Sequence, residues 1–78
     1  MALLNLKTIS KINKNRFIKH DMVETSYSII QIKDEKIIQI DTYGSDGRKE
    51  KGKISQSIQL DEEGAKWLYE LLKKEYHL

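Results

Sequence analysis

Three short runs of β-branched residues, fenced by turn chemistry and then by one switch to helical spacing, constrain this chain more than any other feature. In Tyr27-Ser28-Ile29-Ile30-Gln31-Ile32-Lys33 the isoleucines crowd a segment too short for a buried helix, so it reads as a strand. Asp34-Glu35 supplies a tight turn, and Lys36-Ile37-Ile38-Gln39-Ile40-Asp41-Thr42-Tyr43 reads as the return strand. Gly44-Ser45-Asp46-Gly47 is a second turn, because both glycines tolerate positive φ. Lys53 to Leu60 then alternates polar and apolar residues with a period of two, the signature of a half-buried strand.

After Leu60 the period changes. Asp61 suits a helix N-cap, where its carboxylate accepts a first-turn amide hydrogen bond. Glu62 and Glu63 match the positive end of the helix dipole, and Lys73 and Lys74 match the negative end. Ala65, Leu68, Leu71 and Leu72 fall on one face, with Trp67 on its flank. Gly64 in the first turn costs about 1 kcal/mol relative to alanine, which capping offsets. Ahead of Thr25 the pattern is weaker. Leu4, Leu6, Thr8 and Ile9 read as one additional strand, and Arg16 to Glu24 as a further candidate. The expectation is an α+β fold: a curved antiparallel sheet of about four strands followed by one C-terminal α-helix.

The chain has 78 residues, room for one domain with a small core. There are no cysteines, so neither disulfides nor thiolate zinc sites can staple it. His20 and His77 lack ligand spacing, so no metal or other cofactor is expected. Pairing with a second copy is the remaining way to enlarge the core, and a homodimer is expected. No secretion signal or membrane span is legible, since Lys7 interrupts the opening apolar run. The expected location is therefore cytoplasmic: nucleoid-associated, in a phage-infected host, or nuclear if the source is eukaryotic.

The formal net charge of +2 hides an asymmetry. Residues 1–20 carry Lys7, Lys11, Lys14, Arg16 and Lys19 and no acid, whereas residues 21–78 hold nine basic and twelve acidic residues. The organisation expected is a basic N-terminal arm, 1–20, and a sheet-plus-helix nucleic-acid-binding domain, 21–78. A basic arm on a near-neutral body is one way to meet a polyanion; a solvated tail is the plainer alternative.

Sorting strand residues by odd and even number predicts two faces. One gathers Ile30, Ile32, Ile38, Ile40, Ile54, Ile58 and Leu60 to receive the helix. The other gathers Tyr27, Ile29, Ile37 and Tyr43 with Gln31, Gln39, Lys33, Lys53, Ser55 and Ser57. Such a mixed face suits either a sister subunit or stacked nucleotide bases. Tyr27 and Tyr43 would supply rings, and Lys33, Lys53 and the loop residues Arg48, Lys49 and Lys51 would supply charge for phosphates.

The stretch YSIIQIKDEKIIQIDTYGSDGRKEKGKISQSIQLDEEGAKWLYELLKKEY resembles the family of the transcriptional coactivator positive cofactor four, which includes eukaryotic coactivators and small bacterial and phage members. The likeness is one of arrangement. A hairpin with a charged turn is followed by a strand ending in tyrosine, a glycine- and lysine-bearing loop, a strand opening K-I-S and a capped amphipathic helix. The resemblance implies a dimer whose sheets form curved channels for single-stranded DNA, with the helices contributing to the subunit contact. It implies that Tyr43 stands for the strand-end tyrosine and Lys53 for the lysine before the family's K-x-I-S-like strand. Lys51 and Arg48 fall in the basic loop, and Lys36 or Lys33 in the hairpin lysine region. Gly44 stands where the family often has tryptophan, and Ile32 near a hairpin phenylalanine, so phosphate contacts should outweigh stacking here.

The function expected is binding of single-stranded DNA, or melted duplex, with little sequence selectivity, in support of transcription, replication or recombination. The alternative is a protein-interaction subunit of a transcription or replication complex, with those proteins as partners. No enzyme is expected. Asp34-Glu35-Lys36 with Asp21 imitates a nuclease carboxylate-x-lysine element, but the triplet sits where a charged turn belongs.

Overall fold

The computed structural model describes residues 1–44 and 53–78. Strand β1 spans Ala2–Leu3, β2 Thr25–Ile32, β3 Glu35–Thr42 and β4 Gln56–Leu60, and helix α1 spans Glu62–Tyr76. The strands form one open sheet in the order β1-β4-β3-β2, so the fold is α+β with a single C-terminal helix. No helix among the described residues is long and apolar enough to cross a membrane.

The sheet is mixed rather than wholly antiparallel. β2 pairs with β3 and β3 with β4 in antiparallel fashion, whereas β1 runs parallel to β4. The N-terminal strand lies earlier than the sequence predicted. Ala2 faces Ile58 and Leu3 faces Gln59, and the Leu4 amide donates to the Gln59 carbonyl at 3.1 Å. The opening residues fill the free side of β4, and residues 5–24 then carry the chain to the opposite edge of the sheet. Arg16 to Glu24, the other strand candidate, pairs with no strand; its apolar residues are adjacent rather than alternating, and Phe17, Ile18 and Met22 are exposed.

The β2–β3 turn decides how the faces are composed. Ile32 pairs with Glu35, so the loop is Lys33-Asp34, one residue earlier than predicted, with Lys33 at φ 52°. The Gln31 side-chain amide braces this loop, donating to the carbonyls of Lys33 at 2.9 Å and Glu35 at 3.1 Å. A two-residue loop pairs odd-numbered residues with even-numbered ones. Ile29 therefore stands opposite Ile38, and Ile30 opposite Ile37. The predicted faces, which kept one parity across the hairpin, are corrected by this register: Ile30 and Ile32 share a face with Ile37, not with Ile38 and Ile40. The β3–β4 register keeps parity, with Ile40 opposite Ile58 and Asp41 opposite Ser57.

Helix α1 forms where its caps predict. The Asp61 carboxylate accepts from the Gly64 amide at 2.8 Å, and at the far end His77 adopts the left-handed conformation while its amide donates to the Lys73 carbonyl. The helix does not spread over an isoleucine face as the sequence suggested. Gly64, in its first turn, is the one buried helical residue among those described, and Trp67, Leu71 and Leu72 keep substantial exposure. Ile37 and Leu60 are the buried apolar side chains among the described residues. The accessible surface is 7746 Å², against about 4,900 Å² for a compact monomer of this mass. The radius of gyration is 14.9 Å, against about 11.5 Å for a compact chain of this length. Much apolar surface is thus left uncovered by the single chain.

Candidate nucleic-acid interface

The hairpin register gives the sheet two chemically different faces. One presents Tyr27, Ile29 and Gln31 from β2, Lys36, Ile38 and Ile40 from β3, and Gln56, Ile58 and Leu60 from β4. Among the described strand residues no carboxylate stands on this face, and Thr25 and Thr42 complete it. Tyr27 is 74 % exposed and Ile29 61 % exposed. Tyr27 lies opposite Ile40, and Lys36 lies opposite Gln31 and is exposed. This open face therefore combines a solvent-facing phenol ring, exposed isoleucine and an ammonium group.

The other face is tied together by hydrogen bonds. The Asp41 carboxylate accepts from the Ser57 hydroxyl across the β3–β4 pair and from the Gln39 amide at 2.9 Å. The Gln59 amide donates to the Gln39 side-chain oxygen at 2.7 Å. Asp41 is only 6 % exposed and Ser57 is buried with it. A buried carboxylate needs hydrogen-bond donors, and here two of them converge on its Oδ1. Sequence reasoning missed this network. Its signal was present: Asp41 and Gln39 alternate within an isoleucine strand, so two polar side chains share one face.

Tyr43 belongs to this second face. Its hydroxyl lies 2.7 Å from the Ser26 hydroxyl, its amide donates to the Glu24 carbonyl at 3.0 Å, and it is half-buried. The sequence reading placed Tyr27 and Tyr43 on one face; the odd-to-even pairing puts them on opposite faces. Gln39 is corrected likewise: it joins the Asp41 network rather than standing beside Tyr27.

The remaining predicted binding residues divide into three groups. Lys33 is exposed at the hairpin loop, near the end of the open face that holds Lys36. Lys53 is exposed just ahead of β4, where the Ser55 amide donates to the Thr42 carbonyl at 2.7 Å. Arg48, Lys49 and Lys51 lie outside the described residues. In the arm, Lys7, Lys11, Lys14, Arg16 and Lys19 are all exposed, and Ile9 and Lys11 line a groove of about 540 Å³ with Trp67, Leu71 and Lys74 of the helix. The nuclease-like triplet Asp34-Glu35-Lys36 lines a cleft with Asp61, Glu62 and Glu63. No group of three His, Cys, Asp or Glu side chains among the described residues is arranged to hold a metal ion.

Comparison of the chain with protein-family models, curated proteins and solved structures finds no match.

Proposed function

We propose that this protein is a non-enzymatic binder of single-stranded nucleic acid, single-stranded DNA in the first place, that uses the open face of its sheet. The observation that carries the reading is the exposed Tyr27 ring on a face whose described strand residues include no carboxylate. A base stacked on a tyrosine gains about 1–3 kcal/mol whatever its identity, because every base has a π-face. Lys33 at the hairpin loop and the acid-free arm supply cations for phosphates, whereas Lys36 shares its cleft with five carboxylates and contributes less. Of the two amide side chains among the described strand residues of this face, Gln31 is committed to bracing its own turn, which leaves Gln56 alone to read base edges. The interaction is therefore largely indifferent to sequence. Roles in transcription, replication or recombination fit such binding. The test is a titration of single-stranded DNA, duplex DNA and RNA at two salt concentrations. Tightest binding to single strands, weakening steeply with salt, supports the reading; tighter binding to a defined duplex site overturns it.

A second reading has its own observation. Ile29, Ile40 and Ile58 are exposed on the same face, and an apolar patch of this kind also suits a protein partner in a transcription or replication complex. Affinity for such a partner would change little with salt, and that separates the two readings.

A further inference from the structure

The outer edge of β2 is open and unguarded. β2 is the last strand of the sheet, and among the described residues no backbone hydrogen bond reaches its far side. Natural edge strands are blunted by charge, proline, bulges or brevity. β2 has eight residues, Thr25-Ser26-Tyr27-Ser28-Ile29-Ile30-Gln31-Ile32, with no charge, no proline and no glycine.

Its hydrogen-bonding direction follows from the hairpin. Glu24 accepts from the Tyr43 amide, and Ile32 pairs with Glu35 at the closing position. In an antiparallel ladder, alternate residues point their amide and carbonyl towards the partner. The even-numbered residues of β2 therefore address β3, and Thr25, Tyr27, Ile29 and Gln31 present theirs outward.

We propose that β2 pairs antiparallel with β2 of a second copy about a two-fold axis at Ser28, joining two four-stranded sheets into one. Ser28 then faces its own counterpart, Tyr27 faces Ile29 of the other copy, and Thr25 faces Gln31. All four outward residues meet outward residues, so every amide and carbonyl left open on the edge is satisfied. The register keeps the two open faces on the same side. At each end Glu24 of one copy lies near Lys33 of the other, an opposite-charge match where the strands begin and stop. The exposed side chains at this edge support a second copy as the occupant: Tyr27 and Ile29, 74 % and 61 % exposed in the single chain, meet each other across the two-fold. The consequence rests on the nucleic-acid reading above: the two Tyr27 rings become diagonal neighbours on one continuous face, and a strand of bases can cross both copies.

Substitution at Ser28 tests the register in the full chain, without nucleic acid. Ser28 is exposed, so the fold tolerates a longer side chain there. Ser28→Lys and Ser28→Glu each place like charges face to face, and each should sediment as a monomer at concentrations where the unaltered chain is a dimer. Mixed in equal amounts they should recover the dimer. Because the chain has no cysteine, Ser28→Cys should cross-link between copies when oxidised glutathione accepts the two thiol hydrogens. Thr25→Cys should not, because its two sulfurs would be roughly 20 Å apart along the strands. An unaltered chain that sediments as a monomer, charge variants that remain dimeric, or equal cross-linking at both positions would overturn the pairing. Sedimentation and cross-linking report assembly alone, so their failure leaves the single-strand titration to stand or fall separately.

Discussion

The Ser57 hydroxyl donates to the Asp41 carboxylate across the β3–β4 pair, and both side chains are buried. This hydrogen bond, with Gln39 as second donor, fixes the two strands by satisfied polar groups where a larger domain would use apolar bulk. Removing a donor leaves the carboxylate partly unsatisfied. Ser57→Ala should lower unfolding stability by about 1–3 kcal/mol, measured by urea titration. Asp41→Asn should cost less than Asp41→Ala, because the amide oxygen can still accept from Ser57. Equal losses for the two Asp41 variants would show that the hydrogen bonds contribute little.

Tyr27 and Tyr43 should separate binding from stability. Tyr27→Ala removes the exposed ring and should weaken single-strand binding by about 1–3 kcal/mol, with little change in thermal midpoint. Tyr43→Phe removes the hydroxyl that meets Ser26 and should cost about 1 kcal/mol of stability while leaving binding unchanged. The reverse assignment of effects would place the binding face on the Asp41 side of the sheet.

Neutralising the arm should change the salt dependence. Because Ala2 and Leu3 pair with β4, deleting the arm would also strip a strand, so substitution to glutamine is the cleaner experiment. Replacing Lys7, Lys11, Lys14, Arg16 and Lys19 should reduce affinity for single strands. The slope of log K against log salt should fall by about 0.7 for each phosphate that is no longer neutralised. An unchanged slope would identify the arm as a solvated tail.

The helix cap makes a two-residue test. Asp61→Ala should destabilise the protein by about 0.5–2 kcal/mol. A β-carbon at Gly64 would lie 3.3 Å from the Asp61 carboxylate oxygen, so the gain of about 1 kcal/mol in helix propensity should be partly lost to crowding. Gly64→Ala should therefore help more in the Asp61→Ala background than alone. Additive effects of the two substitutions would mean that the β-carbon fits without displacing the cap.

The three strand regions, the presence of a hairpin after Ile32 (though with its turn one residue too late) and the helix from Glu62 were legible in the sequence, because β-branched runs, turn residues and caps act over a few neighbours. Tyr27, Lys33 and Lys36 were legible as exposed candidates for the same reason. The pairing of β1 with β4 was not, because the strand is two residues long and its partner lies more than fifty positions away. The helix–sheet packing was also misjudged: an apolar helix face tells what can be buried, not what lies within reach of it.

What the sequence determined by itself was local conformation: where the backbone extends, where it turns and where Asp61 starts a helix. What only the tertiary structure decided was which side chains share a face. The pleat fixes alternation within one strand, but the phase between strands depends on how many residues the turn consumes. With Lys33-Asp34 as the loop, Tyr27 and Tyr43 part company, and Asp41, Ser57 and Gln39 meet.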